Sequence, residues 1–353
     1  MTANDDPQPA DPVEVLRRIA FLLERAHEPT YRVRAFRSAA ATIAALPPAE
    51  LEARVMRGTL TDLAGIGKVT AAVVSEAVRG EPSSYLSKLG EVAEIPVAAG
   101  GEALRGALRG DLHTHSDWSD GGSPIDEMAD AARQLTSGAH DYIALTDHSP
   151  RLTVARGLSA DRLRDQLRIV AGLNETLAPF RILTGIECDI LDDGSLDQSS
   201  ELLAQLDVVV ASVHSKLAMP AAAMTQRMVN AVRNPHVDVL GHCTGRLLHG
   251  RDGGKARNES SFDAETVFLA CNENGVAVEI NSRPERLDPP RRLLQLAVEL
   301  DCLFSIDTDA HAPGQLDWQA FGCARAEECG VRVESVVNAR DVEALLAWTS
   351  RAS

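Results

Sequence analysis

Two histidines, His113 and His115, stand one residue apart in the segment DLHTHSDWSDGGS. In a β-strand, residues i and i+2 point to the same face, so both imidazoles would face one spot. Asp309 and His311, in the segment SIDTDAH, repeat this spacing. Imidazole nitrogens and carboxylate oxygens are ligands that zinc, manganese and iron take in proteins. The two pairs therefore indicate a metal site.

Further candidate ligands end other apolar runs of the sequence, such as DYIALTDH, FRILTGIECDI and LDVVVASVH. Together they make a set of nine donors: His113, His115, Asp120, His148, Glu187, His214, His242, Asp309 and His311. A single histidine at a strand end usually has a structural role, but six of the ten histidines share this placement. Nine such donors suffice for three divalent ions, and Zn²⁺, Mn²⁺ and Fe²⁺ all fit the donor types.

The elements that must position these residues begin near residue 108, where strand-like runs start to alternate with helical stretches. This alternation is typical of an α/β fold with parallel strands. In a barrel of parallel strands, side chains at the carboxyl ends of the strands converge on one mouth. We therefore expect the nine donors to meet there.

The preceding region, residues 12–95, has apolar residues at helical spacing and is predicted to be a small all-α domain. Its segment LAGIGK contains Gly65, Gly67 and Lys68, a glycine turn that opens a helix and whose free backbone amides suit a phosphate. We predict a disordered tail at residues 1–11, a linker at residues 96–107 in a Gly/Ala-rich passage, and the α/β domain at residues 108–353.

Composition limits the possible compartment and partners. The chain has 353 residues with 44% hydrophobic and 24% charged residues, and it contains no apolar run long enough to span a membrane. The acidic, proline-containing N-terminus is unlike a signal peptide, and the six cysteines form no CxxC pair, so a cytoplasmic protein with reduced thiols is expected. A net charge of −16 argues against a generic basic nucleic-acid binder. It leaves open a DNA substrate held by metals and backbone amides.

The motifs DLHTHSDWSDG, ALTDHS, GIECDI, ASVHS, GHCTGRLL, EINSRPERLD and SIDTDAH together resemble the PHP (polymerase and histidinol phosphatase) superfamily over about residues 108–340. The nearest likeness is to the PHP domain that ends bacterial family X DNA polymerases. The resemblance implies a distorted, TIM-like (β/α)₇ barrel with a trinuclear metal cluster. It assigns His113, His115, Glu187 and Asp309 to the first ion, Glu187, His214 and His242 to the second, and Asp120, His148 and His311 to the third.

Close-set metal ions would activate a hydroxide and offset negative charge on a phosphoryl group. Glu187 is the expected bridging carboxylate. Arg246 and Lys216 stand close in sequence to the ligands His242 and His214, and they are predicted to bind a substrate phosphate; a surface salt bridge is the alternative role of both. Asp147 is predicted to orient a ligand histidine.

The helical region resembles the N-terminal domain of family X polymerases, through YRVRAFRSAA and the helix-hairpin-helix LAGIGKVTAAVVSEAV. Such a hairpin holds DNA by its backbone without reading the sequence. The helix from Val69 to Val78 has no lysine, so no deoxyribose-phosphate lyase activity is expected. The chain has no room for polymerase palm and fingers between its two domains, so no DNA synthesis is expected.

Three classes of function remain. The favoured one is a metal-dependent phosphoesterase on DNA, of the 3′-5′ exonuclease, 3′-phosphatase or abasic-site endonuclease type, with a role in DNA repair. The second is a small-molecule phosphatase of the histidinol-phosphatase type, which the DNA-binding domain disfavours. The third is a non-catalytic DNA-binding scaffold, which the full set of nine candidate ligands disfavours.

Overall fold

The computed structural model describes residues 11–93, 97–135, 140–250 and 254–350. The chain divides into two compact units, residues 1–97 and 98–353. The predicted disordered tail lies outside the described residues except for Asp11, whose side chain accepts a hydrogen bond from Val13 N at 2.8 Å and caps the first helix. None of the described helices is long and apolar enough to cross a membrane.

The described part of the first unit is helical, as its apolar periodicity predicts. Its α-helices are α1 (Pro12–Arg25), α2 (Thr30–Ala44), α3 (Pro48–Arg57), α4 (Lys68–Val78) and α5 (Ser84–Ala93). Leu16, Ile19 and Leu23 of α1 are fully buried and pack in one core with Phe36 of α2 and Val74 of α4. Burial of this apolar face stabilises helices that are too short to be stable alone.

The second unit is a barrel of parallel strands. The strands are β1 (Gly110–Thr114), β2 (Tyr142–Leu145), β3 (Arg181–Asp189), β4 (Val208–Ser212), β5 (Val239–Leu240), β6 (Ala277–Asn281) and β7 (Phe304–Asp307). Each pairs in parallel with the next along the chain. A parallel bridge from Thr114 to Ala310 brings the first strand to the end of the last and nearly closes the ring.

A helix follows each strand of the barrel, which confirms the predicted (β/α)₇ order. The helices are α6 (Glu102–Ala107), α7 (Ile125–Arg133), α8 (Ala160–Leu177), α9 (Ser200–Leu203), α10 (Ala221–Val232), α11 (Ala264–Asn274), α12 (Arg291–Glu299), α13 (Gln319–Glu328) and α14 (Val342–Thr349), of which α6 precedes β1 and α14 ends the described chain.

Strand alternation divides the apolar side chains between two layers. On β4, Val209 and Ala211 pack in one core with helix residues such as Met224 of α10. Val208 and Val210, on the opposite face of the strand, pack in a second core with Leu345 of α14. Because both strand faces are buried, most strands consist largely of apolar residues. Many of the polar side chains lie at or just after the strand ends.

The predicted linker at residues 96–107 is too long. Glu102–Ala107 forms α6, whose Leu104 and Arg105 are buried in the second unit. Nη2 of Arg105 lies 3.3 Å from Oδ1 of Asp317, and its Nη1 donates to Oε1 of Gln319 at 2.5 Å. A six-residue helix spans fewer than two turns, so its apolar spacing could not be recognised in a Gly/Ala-rich passage.

Candidate metal centre

All nine residues predicted as ligands lie in one cluster at the carboxyl ends of the strands. His113 lies on β1 and Glu187 on β3, and the other seven follow the ends of β1, β2, β4, β5 and β7. Parallel strands expose the side chains that follow their carboxyl ends at a common edge, which is why residues far apart in sequence meet here.

Glu187 lies at the centre of the cluster and is 1% exposed. Five ring nitrogens surround its two oxygens: Nε2 of His113 (3.4 Å), Nε2 of His115 (3.7 Å), Nδ1 of His148 (2.7 Å), Nε2 of His214 (3.2 Å) and Nε2 of His242 (2.9 Å). Burial alone would raise the pKa of Glu187, but the imidazoles of His214 and His113 outweigh burial and hold that pKa well below its ordinary value. The carboxylate is therefore charged and is suited to bridge cations.

Asp120 and Asp309 are the other two carboxylates of the cluster. Oδ1 of Asp120 is 3.4 Å from Nε2 of His148 and 3.2 Å from Nε2 of His311. Oδ1 of Asp309 is 3.4 Å from Nε2 of His115. Burial opposes ionisation of Asp309, but its contact with His115 and nearby positive charges hold its pKa well below the ordinary range.

Three overlapping groups of side chains offer ligand atoms within 4.8 Å of one another. The groups are His115, Asp120, His148 and His311; His113, His115 and Glu187; and His148, Glu187 and His214. They share members with the three ligand sets that the sequence resemblance implies, but His115 and His148 each belong to two groups. The division of ligands among three ions therefore stays a prediction.

Several ring nitrogens and a carboxylate oxygen in the cluster make no hydrogen bond within the described residues, as expected of atoms that bind divalent cations. Both ring nitrogens of His115 and of His214, Nε2 of His113 and Oε2 of Glu187 are buried and make no hydrogen bond within the part of the chain that the structure describes. A buried polar atom left without a partner costs about 1–3 kcal/mol, and such atoms are rare in proteins. Ligation of borderline metal ions would satisfy these donors at once.

The backbone is strained at a ligand position. Asp309 has φ +52°, in the left-handed region that most residues other than glycine avoid. Its carbonyl accepts from Nη1 of Arg283 at 2.8 Å, and its Oδ2 accepts from Nδ2 of Asn281 at 3.3 Å. These bonds hold the strained residue so that Oδ1 faces His115, a use of strain that is common at functional sites.

Glu279 is a buried residue that our sequence reasoning missed. It lies on β6 with Oε1 2.5 Å from Nδ1 of His113, and its Oε2 accepts from the backbone N–H of His242 at 2.5 Å. A carboxylate that binds the second nitrogen of a ligand histidine fixes the ring orientation and raises its basicity. The signal was available, since Glu279 interrupts the apolar run GVAVEINS on a strand.

Arg286, not Arg246, is the arginine at the metal centre. Arg246 donates from Nε to the carbonyl of Arg286 at 2.9 Å and also donates to the carbonyl of Leu287, while its Nη1 lies 3.6 Å from Glu259. Arg286 lines the cavity, and its Nε lies 3.1 Å from Oδ2 of Asp309. Its Nη1 is buried without a hydrogen-bond partner among the described residues. Arg246 does not line the cavity, and its guanidinium already binds backbone carbonyls. Phosphate binding by Arg246 stays a prediction.

Lys216 and Asp147 also differ from their predicted roles. Lys216 is 61% exposed, forms an ion pair with Asp192 and does not line the cavity, so its salt-bridge alternative describes it. Asp147 is buried but accepts from Ser116 N at 2.9 Å and from Gln166 Nε2 at 2.7 Å, and no histidine is among its hydrogen-bond donors in the described chain. It fixes the loop after β1 rather than the ring of a ligand.

The cluster opens into a cavity of about 260 Å³. Its lining combines metal-ligand candidates and Arg286 with three apolar residues from the loop after β2. Its lining residues are Asp120, His148, Leu152, Val154, Ala155, His214, His242, Arg286, Asp309 and His311.

The glycine turn of the first unit precedes α4 as predicted. Gly65 has φ +82°, which requires glycine, whereas Gly67 is extended with φ −94° and ψ 176°. The amide of Gly67 donates to Oγ1 of Thr70 at 3.0 Å, so this predicted phosphate donor already has a partner. The amides of Gly65 and Lys68 donate to no other group in the described residues, and these two remain candidates.

Comparison with protein families matches residues 8–81 to the helix-hairpin-helix domain and residues 111–283 to the PHP domain. The DNA polymerase/3′-5′ exonuclease PolX of Bacillus subtilis (strain 168) is 40% identical over 244 residues, which cover 68% of this chain and 41% of that protein. The chain thus spans less than half of this relative.

A probable phosphatase of Thermoanaerobacter sp. (strain X514) is 29% identical over 228 residues, 62% of this chain and 82% of that protein. The crystal structure of histidinol phosphate phosphatase from Lactococcus lactis subsp. lactis Il1403, in complex with zinc, L-histidinol and phosphate, is 19% identical. It aligns with a TM-score of 0.47 over 64% of this chain and 95% of that chain. The two domain matches give the chain a helix-hairpin-helix domain at residues 8–81 and a PHP domain at residues 111–283.

Proposed function

We propose that the chain is a metal-dependent hydrolase that cleaves phosphate esters in DNA, as a 3′-5′ exonuclease, a 3′-phosphatase or an abasic-site endonuclease, in DNA repair. The observation that carries the hydrolase activity is the convergence of the nine candidate ligands, seven of them buried, in one cluster that contains Glu187. Nη1 of Arg286, which has no hydrogen-bond partner among the described residues, supports it. The name of the Bacillus relative supports DNA as the substrate.

The proposed chemistry divides between metal ions and side chains. Divalent ions, with Mn²⁺ the expected activator, would supply a nucleophilic hydroxide near neutral pH and positive charge for the phosphoryl oxygens. Glu187, at the centre of the cluster, would be one of the residues that hold them. Arg286, fixed by Asp309 at 3.1 Å, would bind a non-bridging phosphate oxygen through its free Nη1.

The first unit would hold the DNA backbone. Its match to the helix-hairpin-helix domain and the open amides of Gly65 and Lys68 at the start of α4 support this role. Backbone amides at a helix N-terminus bind phosphate without reading bases, so we propose binding that is independent of sequence.

A cytoplasmic location is part of the proposal. All six cysteines are buried free thiols, and proteins of reducing compartments keep their cysteines in this form.

The second candidate is a small-molecule phosphatase. The Thermoanaerobacter probable phosphatase favours it by its name, and the alignment covers 82% of that protein. One assay separates the two: purified protein with Mn²⁺ is offered labelled single-stranded DNA, abasic DNA and histidinol phosphate. We expect cleavage of DNA and little release of phosphate from histidinol phosphate. Hydrolysis of histidinol phosphate alone would contradict the DNA proposal.

A further inference from the structure

An apolar lip, defined as Leu152, Val154 and Ala155, lines part of the metal cavity. Val154 is 89% exposed, and no other large apolar side chain of the described barrel unit is as exposed. Exposed single apolar residues are ordinary on a protein surface. This one lies beside metal-ligand candidates, where it can contact a bound substrate.

The lip is held rigidly against the metal centre. Ser149 N donates to the carbonyl of Glu187 at 3.0 Å, and Leu158 N donates to the carbonyl of His148 at 2.7 Å. Arg156 donates from Nη2 to the carbonyl of Asp117 at 2.8 Å and so ties the lip to the loop after β1. The loop that carries the exposed Val154 is therefore anchored on both sides of this residue, which lowers the entropic cost of ordering the loop around a substrate.

The cavity lining has two parts that differ in chemistry. The metal-ligand candidates and Nη1 of Arg286, which has no hydrogen-bond partner among the described residues, suit an anionic phosphate. The lip carries no charge and suits an uncharged group. The substrate that fits both parts is a phosphate ester attached to an uncharged ring.

We propose that the lip binds the base of the terminal nucleotide whose phosphate ester lies at the metal centre. This inference rests on the proposed action on DNA. It specifies that the substrate is a DNA strand end whose terminal nucleotide carries its base. A cavity of about 260 Å³ is small, and it suits one nucleotide rather than a duplex. Histidinol is a cation at neutral pH, and the lip itself offers it no carboxylate.

The test uses two oligonucleotides that differ in one group. Both have the same sequence, but in one the 3′-terminal residue is a tetrahydrofuran that lacks the base. We expect the wild-type protein with Mn²⁺ to cleave the base-bearing end with a roughly three- to tenfold higher kcat/KM, mainly through KM, because base contacts with side chains add binding energy. In Val154→Ser this preference should fall to near unity, and Val154→Leu should keep it.

Ile169→Ser is the matched control, because Ile169 is an exposed apolar residue of the same barrel and does not line the cavity. It should keep the wild-type preference. Equilibrium binding gives a second measurement that does not depend on turnover. The wild type should bind thymidine 5′-monophosphate more tightly than deoxyribose 5-phosphate. Val154→Ser should bind these two ligands with equal affinity.

The outcomes separate the inference from the function on which it rests. Cleavage of both ends at equal rates by the wild type, or an unchanged preference in Val154→Ser, would overturn the lip as a base site while leaving DNA hydrolysis intact. Failure to cleave either oligonucleotide, with histidinol phosphate hydrolysed, would overturn both.

Discussion

Nδ1 of His113 lies 2.5 Å from Oε1 of Glu279, and both side chains are fully buried. The second oxygen of Glu279 holds the backbone N–H of His242, so one carboxylate positions two candidate ligands. With Nδ1 engaged, His113 presents Nε2 to the centre of the cluster, 3.4 Å from Glu187. Glu279 thus connects the barrel wall to the metal site.

Substitution Glu279→Gln should weaken metal binding. The amide keeps the shape of the side chain but loses the charge that makes His113 a stronger ligand, and changes of this kind typically lower metal affinity about 10–100-fold. Competition with a calibrated chelator measures this affinity directly. Glu273→Gln, at an exposed position on α11, is the control and should keep the metal affinity of the wild type. Equal metal affinities of the two variants would show that Glu279 does not support the metal site.

Substitution Glu187→Gln should abolish hydrolysis and leave the barrel folded. The residue lies between five ring nitrogens, and its charge is what allows it to bridge cations, so we expect a loss of about 100-fold or more in kcat. Circular dichroism checks that the fold is retained. Turnover near the wild-type level would show that the Glu187 carboxylate does not bridge metal ions.

Substitution Arg286→Met should lower kcat/KM for DNA by about 10–100-fold, because a charge-assisted hydrogen bond to the phosphate is lost. Lys216→Met provides the contrast. Lys216 pairs with Asp192 outside the cavity, so its loss should change kcat/KM little. A larger loss of kcat/KM in Lys216→Met than in Arg286→Met, measured in steady-state assays, would show that Lys216 binds the phosphate instead.

Substitution Gly65→Val should weaken DNA binding without affecting the metal centre. At φ +82° a valine is strained, and its Cβ would lie 3.3 Å from Oγ1 of Thr42, so the turn that presents the open amides should distort. We expect reduced activity on oligonucleotides and unchanged hydrolysis of bis(p-nitrophenyl) phosphate. Gly172→Ala, which has open space around the new Cβ, is the control. Equal oligonucleotide activity in Gly65→Val would exclude the hairpin as the DNA contact.

The sequence could predict the ligands because the carboxyl ends of buried strands can be recognised in it. Apolar runs that end in His, Asp or Glu located His148 and His214, and the barrel rule placed them at one mouth. Arg286 could not be distinguished from Arg246, since both lie in loops and only the fold shows which guanidinium binds backbone carbonyls. Val154 carries no signal in sequence, because exposure of an apolar residue depends on how its loop is held.

The most direct test of the metal centre is elemental analysis of protein purified without chelator. The nine donors predict between two and three transition-metal ions per chain on the trinuclear hypothesis. Removal of the ions should abolish hydrolysis of DNA, and Mn²⁺ should restore it. Fewer than one ion per chain, even after reconstitution with Zn²⁺, Mn²⁺ or Fe²⁺, would contradict the account.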